Sequence, residues 1–595
     1  MKNIKVIFEP ERLEVEVPEG SKIVAAIEKS GIAFELPCGG KGICGKCRVR
    51  VLEGASPPNE TERKILGEKV VGGWRLACQS KITRLSRILI ERPVLSYHKI
   101  LSSKILCGAA NDPHITKKPF ILPEITLQDP VPLQEQVAHV LGVKTQAVRM
   151  RFLRAVSASG KNDFTAVFHH DELIGVEPGD TTGSCYGIGF DLGTTTMVLT
   201  LFDLNSCKEL LTVVNPNPQI PFGDDVVSRI DFSMRDEGLM KLRKLVIDGI
   251  NHMVDQVLKE TRVERSHIYQ FVLAGNTVME QIFLELPLNS LSRIPFNPVM
   301  RGPVVLEAQR VGLKINPEGK LVVFPVIGGF VGGDTTGLIL ATGIHRSEKI
   351  QIGIDIGTNG EIVVGNRDGI IAASTAAGPA FEGGRISSGM RAQNGALEKC
   401  RYDAQAKKMV YQIIGGNSLR GICGTGLVDL VATLREQGVI TPSGRFAEPD
   451  QVPQFNELLE KKDGRVFFKL EPTSQVVLTQ KDIREFQAAK AAIRTGVEIL
   501  LEMRGVKLDD VERIYLAGAL GNFVNLENVR KIGLLPGMDI SKVVPFGNTS
   551  LASTLLYLCN KKLAQELDEI LTKTQVIELS LYPKFQEVYT DSLFL

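Results

Sequence analysis

The sequence predicts an α/β protein of several domains: a small N-terminal sheet domain around a cysteine loop, a small α+β middle module, and a large C-terminal α/β domain made by duplication. Three observations predict it. The stretch CGGKGICGKC at 38–47, followed at a distance by Cys78, is flanked by segments that alternate apolar and polar residues. IGFDLGT at 188–194 recurs as IGIDIGT at 352–358, and VLAGN at 272–276 is echoed by YLAGA at 515–519, so two related subdomains follow one another. Finally, 595 residues with 43% apolar content allow three or four separate cores.

Residues 3–8 and 11–17 alternate (Leu13, Val15, Val17), a short helix starts near Ser21, Val49 and Val51 resume the alternation, and a basic strand at 86–94 closes the unit. This segment, 1–94, resembles a β-grasp ferredoxin-like domain. Cys38, Cys44, Cys47 and Cys78 match the ligand pattern of a [2Fe–2S] cluster, with one residue more in the first gap than the plant-type spacing. Gly39, Gly40, Gly42 and Gly45 let the backbone curl and aim its amides at a negatively charged group. A structural zinc site or inert buried thiols are the alternatives, although zinc sites usually offer two short cysteine pairs. Trp74, the only tryptophan, is expected to close the small core beside the cluster.

A net charge of +2 with interspersed signs argues against nucleic acid or an anionic membrane as partner. No apolar run is long enough to span a bilayer and the first residues lack a signal peptide's apolar centre, so a cytoplasmic location is expected. Cys107, Cys185, Cys207, Cys400, Cys423 and Cys559 show no pairing interval, as in a reducing compartment. Cys423, in GICGTG, reads as a small buried residue.

Residues 95–122 hold turn residues without a sustained period and read as a linker that gives the first domain reach. The module at 123–184 is expected to hold a helix at 133–141 and strands around 150–156 and 165–168. His169 and His170 show no metal partners in sequence and read as surface residues.

The domain at 185–595 divides at about 345/346. Leu242, Leu245, Val246, Ile250, Met253 and Val257 form one amphipathic stripe, and Phe486, Ala489, Ile493, Val497 and Leu500 another. In each repeat a buried strand leads to an aspartate, then to a glycine turn. Gly193 with Thr194, Thr195 and Thr196, and Gly357 with Thr358 and Asn359, could hold phosphates through backbone amides and hydroxyls. Asp191 and Asp355 would face each other across a cleft, holding hydrated Mg2+ and positioning a water. Asp334, beside Thr335 and Thr336, could join them. In LAGALGNF at 516–523, the small residues Gly518, Ala519 and Gly521 would let an adenosine lie against the backbone. Asp224 and Asp225 read as a helix start rather than a catalytic pair. In this order the elements resemble the actin, sugar kinase and Hsp70 superfamily, which implies an ATP clamp of two halves.

A ferredoxin-type domain joined to that clamp resembles the reductive activators of corrinoid proteins, through CGGKGICGKC with GWRLACQ, DLGTTT, DIGTNGE and LAGALGNF. The resemblance implies ATP-dependent reduction of cobalt(II) corrinoid to cobalt(I), with a [2Fe–2S] cluster, ATP and Mg2+ as cofactors. It also implies a corrinoid-binding protein as partner and a low-potential donor upstream; a homodimer is possible because this superfamily often pairs such domains. One relative carries extra [4Fe–4S] motifs at its C-terminus, whereas Cys559 is the last cysteine here, so the electron must pass through the N-terminal cluster. Two other readings remain open: an ATP-driven donor of the dehydratase or aromatic-ring reductase activator type, and a non-catalytic redox-sensing ATP-binding module.

Overall fold

Alternation over the first strands puts Ile4, Val6, Phe8 and Val17 on one buried face. In the computed structural model these residues lie on β1 (Asn3–Glu9) and β2 (Leu13–Pro18) of a five-stranded sheet. The structure describes residues 2–9, 13–30, 42, 45, 47–90, 111–124, 131–416, 418–462, 465–518, 521, 524–535 and 537–595. With β3 (Arg48–Ala55), β4 (Trp74–Leu76) and β5 (Ile82–Leu89) the strand order is β2-β1-β5-β3-β4. β1 and β5 run parallel, and the helix Ile23–Ser30 buries Ile23, Ala26 and Ile27 in the same core, which is the β-grasp arrangement. Trp74 packs, partly buried, on the core that contains Cys47 and Cys78.

The middle module is a three-stranded antiparallel sheet of β6 (Ile115–Ile121), β7 (Asp163–His169) and β8 (Glu172–Pro178), with a helix at Leu133–Leu141 as expected. Two features differ from the sequence reading. The expected linker ends in β6, which pairs along its whole length with β7, and residues 95–110 lie outside the described residues. The segment expected as a strand at 150–156 is the helix Met150–Ser159. Its buried residues, Phe152 and Val156, are four apart, while Met150 faces out.

The duplication is visible in the sheets. The first half orders as β11-β10-β9-β12-β14-β13, from β9 (Tyr186–Leu192), β10 (Thr196–Asp203), β11 (Lys208–Pro216), β12 (Ile268–Gly275), β13 (Val304–Glu307) and β14 (Lys320–Val323). The second half begins with β15 (Gln351–Ile356), β16 (Gly360–Asn366) and β17 (Gly369–Thr375). Two small sheets follow: β18 (Ala396–Asp403), β19 (Lys408–Ile413) and β20 (Gly421–Ile422), then β21 (Leu459–Lys462), β22 (Arg465–Lys469) and β23 (Val477–Thr479). β24 (Arg513–Gly518), β25 (Val543–Gly547) and β26 (Thr574–Val576) complete the order β25-β24-β15-β16-β17-β26. Reversed, five of these strands repeat the first half. The register repeats too: Asp191 lies opposite Ala274, and Asp355 opposite Ala517.

The stripe on the helix Gly238–Thr261 buries Leu242, Val246, Ile250, Met253 and Val257, with Leu245 only partly covered, and all five predicted residues of the helix Gln480–Arg504 are buried. Between the two sheets lie the helices Gly333–Thr342 and Thr549–Cys559, whose Leu338, Ile339, Leu551 and Leu555 share one core with both halves. Small residues let them meet. A Cβ on Gly337 would stand 2.5 Å from Ser553 Oγ, so Gly337→Val is expected to cost about 1–3 kcal/mol by overpacking, seen as a lower Tm in thermal unfolding.

The far end of the helix Thr549–Cys559 fastens the chain as it enters the middle module. Asp112 N–H donates to Cys559 O and Lys561 N–H to Asp112 O, both at 2.9 Å, and Lys561 Nζ pairs with Asp112 Oδ1 at 3.1 Å. Among the described residues, no helix is long and apolar enough to cross a membrane.

Candidate functional site

The turn between β9 and β10 carries Gly193, Thr194 and Thr195, and three buried side chains hold it. Asn217 Nδ2 donates to Gly193 O at 2.9 Å, Asn276 Nδ2 to Thr194 Oγ1 at 2.9 Å, and Arg229 Nη2 to Thr194 O at 2.5 Å. Burial pulls the Arg229 guanidinium down to about 9, so it still carries its charge at neutral pH. A Cβ on Gly193 would stand 2.4 Å from Thr196 O, so the bend requires glycine. In the second hairpin Gly357 N–H donates to Asn359 O at 2.9 Å, and Thr358 Oγ1 donates to Glu382 Oε2 at 2.9 Å. The hairpin tips touch: Thr195 Oγ1 and Thr358 Oγ1 are 2.9 Å apart.

Both central helices aim their N-termini at this place. Asp334 sits in the first turn of one. At the start of the other, Asn548 Nδ2 and Ser550 Oγ donate to the two carboxylate oxygens of Asp191 (2.7 and 2.9 Å), and Thr549 Oγ1 donates to Asp355 Oδ2 (2.8 Å). The result is a cavity of about 360 Å3 between the halves, lined by Asp191, Asp334, Asp355, Gly193, Thr194, Thr195, Thr196, Gly357, Thr358, Asn359 and Gly518. Gly521 is described but does not line the cavity, and Ala519 lies outside the described residues.

Glu361, Glu382 and Glu398 add acids to the lining, and among the described lining residues Arg391 is the one cation. Burial pushes Asp191 up to about 6 and Asp334 and Asp355 up to about 7, with mutual repulsion adding to both of the latter. Glu361 is raised well above the carboxylate range, again by burial first. A cavity of this size, small polar loops for phosphates and an excess of buried carboxylates fit a nucleotide with a hydrated divalent cation.

These shifts carry a sign. Asp191, Asp334 and Asp355 keep their protons in the metal-free fold up to about 6, 7 and 7, whereas the unfolded chain releases them near 3.8. The fold therefore binds more protons between these limits, and their contribution to stability is lost as pH rises from about 4 to 7. A bound cation removes the penalty, so Mg2+ with nucleotide is expected to raise Tm more at pH 8 than at pH 6, as measured by differential scanning calorimetry.

In the first domain, Cys47 and Cys78 are buried with their Sγ atoms 3.2 Å apart. That is far beyond a disulfide bond and close to the separation of two thiolates on one metal. A hydrogen bond from Cys47 brings Cys78 down to about 6 against the effect of burial, and Gln79 Nε2 donates to Cys78 Sγ at 3.5 Å. Gly42 has φ +73°, and a Cβ there would stand 2.6 Å from Gln79 Nε2. These residues fit a cluster held by thiolates; Cys38 and Cys44 lie outside the described residues.

Comparison with known proteins bears on both sites. Residues 6–83 match the family described as 2Fe-2S iron-sulfur cluster binding domain, 186–347 the RACo middle region, and 349–595 the C-terminal domain of RACo, the ASKHA domain. The corrinoid activation enzyme RamQ of Eubacterium limosum is 33% identical over 602 residues, covering 98% of each chain. The chain belongs to the reductive activators of corrinoid proteins. Within this family, a solved reductive activator for corrinoid, iron-sulfur protein superposes with a TM-score of 0.74 at 33% identity, covering 100% of this chain and 98% of that one. The [Co(II) methylated amine-specific corrinoid protein] reductase of Methanosarcina barkeri is 29% identical over 65% of this chain and 72% of its own. Like the family, the chain combines a 2Fe–2S-type domain with an ATP-binding domain of the ASKHA type.

Sequence reasoning missed Asn217, Arg229, Asn276, Asn548, Thr549 and Ser550. GNTV and GNTS, at 275–278 and 547–550, were available signals: each puts an asparagine cap immediately before an apolar helix. Asp225 caps the helix Val226–Ser233, and Cys423 is buried with its thiol on Leu397 O at 3.0 Å. His170 is exposed and His169 partly so, as expected of surface residues, but both also meet the buried His114.

Proposed function

We propose that this protein uses ATP to reduce the cobalt(II) of a corrinoid-binding protein to cobalt(I), one electron at a time. The observation that carries the reading is that a 2Fe–2S-type domain and a two-halved ASKHA-type cleft share one chain that aligns with RamQ over 98% of both. Bound to Cys38, Cys44, Cys47 and Cys78, the [2Fe–2S] cluster supplies one electron near about −400 mV, and an upstream low-potential donor restores it. Cobalt(I) lies lower still, and each 100 mV of shortfall costs about 2.3 kcal/mol per electron. Nucleotide turnover can offset that cost only through a conformational cycle.

In this reading the threonine hydroxyls and turn amides of the two hairpins grip the phosphates, Gly518 passes beneath the adenosine, and Asp191 and Asp355 would hold a hydrated Mg2+. Asp334, which burial holds in its protonated form up to about 7 in the metal-free fold, orients the attacking water once a cation is bound. The Thr195–Thr358 contact marks where the halves close on the nucleotide. The test mixes cluster-loaded protein with a cobalt(II) corrinoid protein, reductant and ATP and follows the cobalt(I) spectrum. Equal steady turnover with a non-hydrolysable analogue rejects the role of hydrolysis, and no cobalt(I) under any condition rejects the function.

A further inference from the structure

The β7–β8 turn presents His169 and His170 to His114, the last residue before β6, at the point where the chain arrives from the first domain. His114 is 1% exposed, and its ring stacks on Tyr557 of the helix Thr549–Cys559 with centroids 4.3 Å apart. His114 Nδ1 lies 3.0 Å from His170 Nε2, and one ligand nitrogen from each of the three rings lies within 4.8 Å of the others. His114 Nε2 is enclosed and makes no hydrogen bond of normal length. A simple contact between two imidazoles explains the 3.0 Å pair but gives His169 no role, and it is Nδ1 of His114 that faces the other two rings while the ring also has a backbone hydrogen bond at Tyr557.

We propose that His114, His169 and His170 form a binding site for a zinc-class divalent ion that pins the entry of the chain to the middle module. Nitrogens on a tetrahedral zinc, at about 2.0–2.1 Å from it, stand about 3.4 Å apart. One pair is already near that spacing, and the partly exposed His169 and exposed His170 have room to close. The nearby cations are spoken for: Lys320 pairs with Glu172 at 3.1 Å and Lys561 with Asp112 at 3.1 Å. Three imidazoles without a carboxylate suit zinc, nickel or iron rather than magnesium or calcium.

The test titrates chelator-treated, cluster-loaded protein with ZnCl2 in a calorimeter while monitoring the cluster's visible absorption. One zinc per chain is expected with that absorption unchanged, weakened at least about tenfold in both His169→Gln and His170→Gln. Zinc should also raise the Tm of the unaltered protein and of neither variant. These two side chains are the accessible ones, so their replacement leaves the buried His114 packing in place. Zinc bound equally tightly by both variants, zinc taken up only as the cluster is lost, or no stoichiometric zinc at all overturns the proposal.

Discussion

Asp355→Asn is expected to lower ATP hydrolysis by about 10²–10⁴-fold, the usual worth of a positioned catalytic carboxylate, with little effect on folding. Burial already favours the uncharged form of this carboxyl, up to about pH 7, so a neutral isostere suits the metal-free site. Its partner Thr549 can still donate to an amide oxygen. The variant should therefore match or exceed the unaltered protein in Tm at pH 8 without Mg2+, while losing phosphate release at saturating MgATP. Hydrolysis within threefold of the unaltered rate would remove Asp355 from the chemistry. Thr549→Ala should fall between the two, because the carboxylate stays but loses its one side-chain donor.

The second large effect is expected in the other domain. Cys78→Ala should abolish cluster loading, read as bound iron and sulfide, and reduce cobalt(I) formation to background, while leaving nucleotide binding within about twofold. The asymmetry follows from the separate cores of the two domains. Electron delivery depends on the first domain, whereas Asn217, Asn276 and Arg229 hold the turn at Gly193 and Thr194 in the other. Retained iron in Cys78→Ala would mean that this thiol is not a ligand.

The strongly patterned parts of the chain were legible in advance. Strand alternation located the first sheet, and the repeated Asp-x-Gly-Thr located both hairpins of the cleft; a Cβ at Gly193 would stand 2.4 Å from Thr196 O, so that bend needs its glycine, whereas at Gly357 the nearest atom would be 3.7 Å away. Short mixed segments were not. Residues 150–156 contain β-branched and aromatic residues that favour strand, and the helix wins because Phe152 and Val156 both reach the module's core at helical spacing. The support of Asp191 was hidden for another reason. Asn548 and Ser550 lie more than three hundred residues away, and no local pattern marks a contact made only when two halves of a duplication close on each other. The histidine cluster shows the same blindness: His114 and His170 look isolated until β6 pairs with β7.

The helix Thr549–Cys559 touches Asp191 and Asp355 with its first residues and holds Asp112 with its last. Eleven residues of α-helix make a strut of about 16 Å, too short and well packed to bend. A change at the two aspartates is therefore expected to reach the Asp112 contact, where the chain enters the middle module, through this one helix.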